Sequence, residues 1–266
     1  MMKKTIAAML LACVLMLCGA LASAEINVTM RGLNQARGLD KNVNHILVLL
    51  QDGDTTDTAM LASINGKTGR SVMTRIDCSR MIEVTADDGS VLEVAIGDTY
   101  ALGGRKSKGL LVCREMNEML GLDISTYVAL DISQLPKLVD SLGTITLPLT
   151  EAEASALSKP WDYCEMTGEE VLAFVRLELE GDDPARSRSY EALMQMAKQA
   201  LRGGDIMGMV SMATKLLKSM DTNVNVMSAM TLASAVQAGE DRREALVDAV
   251  MSEEDVRAMM RTTIYE

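Results

Sequence analysis

Residues 45–65, HILVLLQDGDTTDTAMLASIN, constrain the fold more than any other stretch of the chain. Residues 46–50 form an apolar run without polar alternation, which is typical of a strand that is covered on both faces in an α/β sheet. A second apolar run follows at residues 59–64, after a short acidic loop. The pattern therefore predicts two strands of a central sheet, joined by a loop that is rich in carboxylates.

The acidic loop holds Asp52, Asp54 and Asp57 within six residues. Carboxylates this close repel one another unless a cation or a basic partner lies between them. Hard oxygen ligands of this kind suit Mg²⁺ or Mn²⁺. The alternative is a solvated turn in which the Asp side chains bind nearby backbone N–H groups. The spacing alone leaves both interpretations open.

Residues 1–24 have the features of a secretory signal, with two lysines, an apolar stretch and the small residues ASA before Glu25. We expect removal of this segment, so that the protein is extracytoplasmic, either secreted or attached to the outer face of the cytoplasmic membrane. If the segment is retained, residues 5–21 would form a short membrane anchor with the lysines on the inner side. In both cases it is excluded from the fold.

The composition excludes several classes of function. Without Lys3 and Lys4 of the leader, 24 basic residues stand against 37 acidic ones, a net charge of −13, which argues against nucleic acid as a partner. Cys78, Cys113 and Cys164 have no metal-type spacing, so neither a disulfide framework nor a zinc site is indicated. The whole chain has 22 Met but only one Trp, five Tyr and one Phe, so aromatic platforms for sugar stacking are scarce.

Turn residues predict two hairpins in the first half of the chain. Residues 25–44 are polar and mixed, and we interpret them as a lead-in segment. Each hairpin consists of two apolar or alternating runs around a glycine-containing turn. The predicted hairpins are residues 59–76, which turn at 65–69, and residues 81–94, which turn at 87–89.

The middle of the chain alternates helices and strands. Helices are predicted over residues 106–120 and 133–142, because each periodic segment ends at a glycine, Gly121 or Gly143. The second of these helices lies between predicted strands at residues 126–130 and 144–149. This β-α-β order predicts a right-handed crossover and a largely parallel centre of the sheet.

The last part of the chain is predicted to be helical. Thr167 and Glu170 form a capping box for a helix over residues 168–174. Asp183 and Pro184 are predicted to open a helix that ends near Arg202. Met-rich helices are predicted over residues 206–220 and 227–237, and Ser252 is predicted to cap a short last helix. We interpret residues 45–238 as one domain and residues 239–266 as a short helical C-terminal extension.

Five segments of the chain, taken together, resemble the LytR-CpsA-Psr family. In order they are residues 56–69, 99–104, 119–143, 167–176 and 183–186, which include TDTAMLASINGKTG, TYALGG, TGEEVLAFVR and DPAR. Members of this family are extracytoplasmic enzymes that move cell-wall glycopolymers from a polyprenyl diphosphate carrier onto peptidoglycan. The resemblance implies a three-layer α-β-α sandwich with a central mixed sheet and an apolar tunnel for the lipid tail.

The resemblance also implies a magnesium ion held by aspartates, with basic groups around the diphosphate. Asp57 falls on the family's Asp-Thr pair, and its partner as a metal ligand is Asp54 or Asp52. Arg176 and Arg186 fall on family arginines that bind the diphosphate. Arginine suits this role because its planar fork pairs with two phosphate oxygens. Arg176, Arg186 and Asp57 are therefore the predicted catalytic residues, and Mg²⁺ or Mn²⁺ is the predicted cofactor.

The chain departs from the family pattern at several charged positions. Cys78 and Ser79 stand where the family has an arginine and an acid, and Ser189 stands where it has a second arginine. Basic residues nearby that would substitute are Arg75, Arg80, Lys106, Lys108 and Arg188, of which Arg80, Arg188 and Lys106 are the predicted substrate-binding residues. The alternative is a catalytically degenerate member that binds the polyprenyl-linked polymer or a partner protein without transferring it.

Two other residues resemble catalytic groups at first sight. His45 is the one histidine and opens the first strand, so we interpret it as solvent-facing or capped rather than catalytic. Cys78 has no histidine available to activate it, and a buried, inert thiol is the better interpretation.

Overall fold

The computed structural model describes residues 25–179, 187–202, 220–224, 242–247 and 250–265. Its strands are β1 (Val43–Asp52), β2 (Thr55–Asn65), β3 (Ser71–Ile76), β4 (Met81–Thr85), β5 (Val91–Ala95), β6 (Thr126–Asp131), β7 (Ile145–Leu149), β8 (Asp162–Met166), β9 (Asp221–Thr222) and β10 (Arg242–Val247). Its α-helices are α1 (Ile96–Leu102), α2 (Lys108–Leu120), α3 (Leu135–Leu142), α4 (Glu151–Ala156), α5 (Gly168–Val175), α6 (Arg188–Arg202) and α7 (Glu253–Met260).

Within these residues, six strands form a central sheet in the order β10-β3-β2-β1-β6-β9. β1 pairs with β2 in antiparallel and with β6 in parallel orientation. β3 likewise lies antiparallel to β2 and parallel to β10. The sheet is therefore mixed, which confirms the predicted α/β class. Two further hairpins, β4-β5 and β7-β8, lie outside it.

β1 is an internal strand that contributes to two cores. Leu47 and Leu49 belong to the core on one face of the sheet, whereas Leu50 belongs to the core on the other. All three side chains are fully buried, and each such burial stabilises the fold by about 1.5–3 kcal/mol. The prediction of a strand covered on both faces is confirmed.

Helices cover both faces of the sheet and complete three layers. On the first face, α1, α2 and α7 supply buried residues that include Ile96, Met116 and Val256. On the second face, α3, α5 and α6 pack with the β7-β8 hairpin around Phe174, which is fully buried. The predicted three-layer arrangement is confirmed.

Several helix ends follow the local signals in the sequence. α2 ends at Gly121, which has a φ of 66° that a glycine adopts without strain. α5 begins after Thr167, whose N–H donates to Glu170 Oε2 at 2.9 Å. α7 begins after Ser252, whose Oγ accepts from Asp255 N at 3.2 Å. α1, by contrast, follows directly on β5 and was not predicted.

The prediction of a largely parallel centre is wrong. β7, expected to be the second parallel strand of a β-α-β unit, pairs with β8 in an antiparallel hairpin outside the central sheet. The reason is visible in its burial, since Ile145, Leu147 and Leu149 are buried while the residues between them are partly exposed. One-sided burial suits a peripheral hairpin rather than a central parallel strand.

The C-terminal segment carries more than the predicted helix. β10 lies within residues 239–266 and joins the central sheet, with Arg242 beside Ser71 and Val247 beside Ile76. Val247 is fully buried in the first core. The interpretation of this segment as a helical extension therefore missed an edge strand of the sheet.

α6 begins at Arg188 rather than at Pro184. Ser187 caps it, because Ser187 Oγ accepts a hydrogen bond from Tyr190 N at 3.2 Å. Several predicted features lie outside the described residues. They are the leader at residues 1–24, Arg186 within residues 183–186, and the two Met-rich helices predicted at 206–220 and 227–237, of which only residue 220 is described. In the part of the chain that the structure describes, no helix has the length and apolar character needed to span a membrane.

Candidate functional site

Asp52, Asp54 and Asp57, the acidic residues of the predicted metal site, lie at one end of the β1-β2 hairpin. β1 ends at Asp52 and β2 begins at Thr55, so the connection consists only of Gly53 and Asp54. Gly53 has a φ of 63°, which the tight turn requires and a glycine supplies. The predicted acidic loop is thus a two-residue turn with acidic strand ends. We call residues 52–57 the acidic turn.

Asp57 is the extra residue of a β-bulge. Leu50 pairs with Thr58 and Gln51 pairs with Thr56, which leaves Asp57 without a partner in β1. A bulge of this kind redirects a side chain, and bulges occur often beside active sites. The exposed Asp57 carboxylate accepts a hydrogen bond from Thr58 Oγ1 at 3.1 Å.

Two cations from opposite faces of the sheet reach the acidic turn. Arg176, the C-cap residue of α5, places Nη2 3.9 Å from Asp52 Oδ1. Lys108, the first residue of α2, places Nζ 3.9 Å from Asp54 Oδ1. The carboxylates therefore have basic partners, one of the two ways in which their repulsion was expected to be relieved. Exposed pairs at this distance contribute little to stability.

The N-terminus of α6 also lies beside the acidic turn. Thr58 Oγ1 is 3.4 Å from Ser187 Oγ, which links β2 to the cap of this helix. The next residue, Arg188, is turned away into structural contacts. Its Nε donates to Glu153 Oε1 at 2.7 Å, and its Nη1 donates to the carbonyl oxygen of Leu177 at 2.9 Å. Arg188 and Glu153 are 8% and 0% exposed, so this is a buried ion pair.

The other predicted substrate-binding residues lie apart from these contacts. Arg80 Nη1 donates to the carbonyl oxygen of Met251 at 2.6 Å, and the side chain is buried. It borders a cleft of about 310 Å³ between the β4-β5 hairpin, α2 and α7, to which no residue of the acidic turn contributes. Lys106 is exposed, two residues before Lys108. Arg186 lies outside the described residues.

Cys78 lies close enough to Asp57 to sense its charge. Burial raises the pKa of the Cys78 thiol to about 12, and the carboxylates of Asp57 and Asp77 add to this increase. The thiol is therefore protonated at neutral pH and unsuited to nucleophilic attack. Gly97 packs closely beside Cys78, since a Cβ there would lie 3.3 Å from the Cys78 carbonyl oxygen and 3.0 Å from the Thr56 carbonyl oxygen.

His45 has a structural role. It is buried, its Nδ1 lies 2.8 Å from Ser63 Oγ and its Nε2 lies 3.1 Å from the Tyr265 hydroxyl. Burial lowers the pKa of the imidazole from 6.5 to about 4. The ring is capped by hydrogen-bond partners rather than solvent-facing, which is the second of the two expected environments, because the C-terminal turn that carries Tyr265 covers this end of β1.

The carboxylates of the acidic turn fit one type of metal site. Among the described residues, no group of three or more His, Cys, Asp or Glu side chains is arranged to hold a metal ion. Mg²⁺ at phosphate sites, however, often has only one or two protein carboxylates, with water and substrate phosphate completing its shell. Asp57 and either Asp52 or Asp54 would fit that arrangement. An ion enclosed by protein ligands alone does not fit.

A polar network of two buried tyrosines and an exposed aspartate lies beside Lys108 and was missed by sequence reasoning. Lys108 Nζ lies 5.4 Å from the centre of the Tyr100 ring. The hydroxyls of Tyr100 and Tyr127 donate to the two carboxylate oxygens of Asp221, at 2.7 and 3.1 Å. Burial, together with the Asp221 carboxylate, raises the pKa of Tyr100, so its phenol is neutral. The only signal in the sequence is the TYALGG segment, which contains Tyr100.

The model of the LytR_cpsA_psr family matches residues 22–262. The chain belongs to the LytR-CpsA-Psr family. This confirms the resemblance, and the match includes β10 and all of α7. A relative, biofilm regulatory protein A of Streptococcus mutans serotype c, is 24% identical over an alignment of 189 residues, which covers 65% of this chain and 45% of that protein. The chain thus spans less than half the length of this relative.

Solved structures of related proteins have the same fold. TagV of B. subtilis matches with a TM-score of 0.66 at 16% identity, over 85% of this chain and 98% of that one. TagT bound to LI-WTA matches with a TM-score of 0.66 at 16% identity, over 92% and 98% of the two chains. TagT with bound octaprenyl pyrophosphate lipid matches with a TM-score of 0.61, at the same identity and coverage. At this identity the likeness establishes the fold.

Proposed function

We propose that this protein transfers a glycopolymer from a polyprenyl diphosphate carrier to peptidoglycan at the outer face of the cytoplasmic membrane. The family and its TagT structures, which hold LI-WTA or octaprenyl pyrophosphate lipid, support a role with lipid-linked glycopolymers. The observation that carries the proposal is the acidic turn with Arg176 and Lys108 beside it. Carboxylates for a hard cation and cations for a diphosphate meet there, as phosphoryl transfer requires.

In the proposed complex, Arg176 exchanges Asp52 for oxygens of the diphosphate. Its side chain is 51% exposed, so an anion reaches it without displacing the core. The planar fork then binds two phosphate oxygens, and Lys108 adds a point charge from the other face of the sheet. Arg186, which lies outside the described residues, is proposed to bind the same diphosphate.

The reaction itself needs a base and a cation. A bound Mg²⁺, held by Asp57 with Asp52 or Asp54, would neutralise charge on the diphosphate. A carboxylate of the acidic turn accepts the proton of the acceptor hydroxyl. At the same time, the oxygen of that hydroxyl forms a bond to the phosphorus that carries the glycopolymer. The bond between that phosphorus and the bridging oxygen breaks, and polyprenyl phosphate leaves. The lipid tail is proposed to occupy an apolar tunnel, as the family resemblance implies.

A second candidate is a protein that binds the lipid-linked polymer without transferring it. Cys78, a neutral thiol, stands where the family has an arginine, and Arg80 and Arg188 are held in other contacts. Loss of one donor that stabilises charge in a transition state typically costs about 2.7–4 kcal/mol. A member that lacks such a donor would therefore still bind the lipid-linked polymer but would not transfer it.

Titration with octaprenyl diphosphate, followed by a transfer assay on the same samples, tests both candidates. The protein without residues 1–24 would be titrated by calorimetry in Mg²⁺, then given a lipid-linked glycopolymer and peptidoglycan. Binding with transfer supports the enzyme. Binding without transfer, with transfer gained in Cys78→Arg, supports the degenerate binder. If wild type and Arg176→Ala bind octaprenyl diphosphate equally weakly, both candidates fail.

A control for Arg176→Ala is Arg37→Ala. Arg37 is an exposed arginine in the segment before β1, at the opposite end of that strand from the acidic turn. Its replacement removes the same charge without touching the proposed site. Equal losses of affinity in the two variants would indicate general electrostatic attraction rather than a diphosphate site.

A further inference from the structure

Two of the few aromatic residues are exposed, and they lie close together in sequence. Trp161 is 65% and Tyr163 is 69% exposed, whereas Phe174, Tyr100 and Tyr127 are buried. Aromatic platforms were predicted to be scarce, and this pair is the exception. Exposed aromatic rings leave a large apolar area in contact with water, so such a surface often binds a partner.

The β7-β8 hairpin holds Tyr163 on its outer face. Cys164 and Met166 of β8 are buried in the second core, so the alternation of the strand directs Tyr163 away from it. Tyr163 pairs with Pro148 of β7. The ring therefore stands on a rigid hairpin anchored by its other face.

A groove of about 240 Å³ separates this ring from α6. Its lining consists of Tyr163, Thr146, Gln195, Lys198 and Gln199. The three residues of α6 are spaced i, i+3 and i+4, so they share one face of the helix. A different face of α6, with Ala192, Leu193 and Met196, is buried in the second core.

The groove offers one aromatic face and several hydrogen-bonding groups. The Gln195 amide donates to Glu191 Oε1 at 2.8 Å, which fixes its orientation and leaves its oxygen as an acceptor. Gln199 adds a second amide, Thr146 a hydroxyl and Lys198 a cation at the edge. The centre of a protein interface is usually depleted in charge and more apolar than this. One ring surrounded by amides and a hydroxyl suits a sugar, which has an apolar C–H face and a rim of hydroxyls.

The groove lies on the helix that starts at the proposed site. Ser187, the cap of α6, touches Thr58 beside the acidic turn. Because an α-helix rises 1.5 Å per residue, Gln195 and Gln199 lie about 10 to 17 Å along α6 from Arg188. A glycan attached to a diphosphate at the acidic turn would therefore reach the groove if it extends this distance along α6.

We propose that this groove binds a sugar of the lipid-linked donor glycopolymer, a short distance along the glycan from the diphosphate. The inference rests on the proposed function, because it needs a diphosphate at the acidic turn. Tyr163 stacks on the apolar face of the sugar ring, and Gln195 and Gln199 bind its polar substituents. The groove thereby holds the donor chain in one direction and contributes to the choice of polymer.

The test compares octaprenyl diphosphate with the same lipid carrying a trisaccharide of N-acetylhexosamines. In wild type, the trisaccharide should strengthen binding about tenfold. Tyr163→Ala should abolish this gain and leave the affinity for the bare lipid unchanged, whereas Tyr163→Phe should retain the gain. Trp161, the one tryptophan of the chain, lies two residues before Tyr163 and provides a fluorescence signal that should respond to the trisaccharide but not to the bare lipid.

The outcomes separate the groove from the proposed function. Binding of the bare lipid with no gain from the trisaccharide overturns the groove and leaves the function intact. Failure of both lipids to bind overturns the function and the donor assignment together. A third titration uses free tri-N-acetylchitotriose. If it binds in a manner that depends on Tyr163 while the lipid-linked trisaccharide gains nothing, the groove belongs to the acceptor strand and the donor assignment is wrong.

Discussion

Arg176 Nη2 lies 3.9 Å from Asp52 Oδ1, where the end of α5 meets the acidic turn. The two side chains are 51% and 60% exposed, so the pair is screened by water and contributes little to stability. An arginine that lies near a carboxylate in a weak, exposed ion pair is available to bind an incoming anion. The exposed pair of Arg176 and Asp52 should therefore respond differently to substitution from the buried pair of Arg188 and Glu153.

Arg176→Ala should weaken octaprenyl diphosphate binding by about 1–3 kcal/mol, because a charge-assisted contact to phosphate is lost. Arg176→Lys should also weaken it, since an ammonium keeps the charge but not the planar fork. Calorimetry measures the affinity, and thermal unfolding should show little change. A large loss of stability with unchanged affinity would make Arg176 a structural residue.

Mg²⁺ should raise the melting temperature, most clearly with octaprenyl diphosphate present, because a ligand that binds only the folded state stabilises it. Asp57→Asn should abolish this increment. Asp52→Asn and Asp54→Asn identify the second ligand, since only one of them should reproduce the effect. An increment that persists in Asp57→Asn would return the acidic turn to the interpretation of a solvated turn.

Arg188→Ala should lower the free energy of unfolding by about 3–5 kcal/mol, because it leaves the fully buried Glu153 carboxylate without its ion-pair partner. The matched control is Lys159→Ala, which breaks the more exposed pair with Glu170 and should cost about 1 kcal/mol or less. Urea unfolding measures both values. Equal, small losses would instead favour a substrate-binding role for Arg188.

The stability of the fold should fall between pH 6.5 and pH 4 partly through His45. Burial lowers the pKa of its imidazole from 6.5 to about 4 in the folded state, so the neutral ring favours folding. This contribution, about 3 kcal/mol, is complete above pH 6.5 and is lost as the pH falls towards 4. Burial raises the pKa of Asp123, whose carboxylate lies 3.6 Å from His45 Nε2, and this has the opposite sign.

Urea unfolding at pH 7.5 and pH 4.5, in wild type and His45→Gln, measures the contribution of His45. The variant should lose less stability than wild type over this interval. Identical losses would show that the imidazole is not the titrating group.

Residues 1–24 should be absent from the exported protein, because the sequence ASA precedes Glu25. Mass spectrometry of the protein from its native host gives the N-terminus. Glu25 as the first residue supports a cleaved leader, whereas Met1 would indicate an anchored protein.

The sequence predicted those parts of the fold that depend on local signals. The apolar run at residues 46–50 became β1, and Gly121 and Ser252 ended or began helices as expected. β10 was missed because its sequence, RREALV, begins with three charged residues that are typical of a helix or an exposed loop. Such a strand is recognised only through its pairing with β3, which no local pattern reports.

The contacts around the candidate site were also predicted unevenly, and the roles of its residues stay predictions. The spacing of Asp52, Asp54 and Asp57 identified the acidic turn, and the family resemblance placed Arg176 beside it. The contact between Thr58 and Ser187 was not predictable, because hydroxyl pairs from distant segments have no pattern of charge or spacing. Arg80 and Arg188 were chosen for their proximity in sequence, yet burial directs both side chains into structural contacts.

The parallel pairing of β10 with β3 determines when this protein is able to fold. Arg242 is paired with Ser71, so this edge of the central sheet is completed only by residues 242–247, which lie far along the chain from β3. Closing so long a loop is slow, and until it closes β3 presents an unpaired edge. The central sheet of a nascent chain therefore stays incomplete until residues 242–247 have emerged. Truncation before residue 242 should therefore be more damaging than the edge position of β10 suggests, because it leaves β3 without its parallel partner.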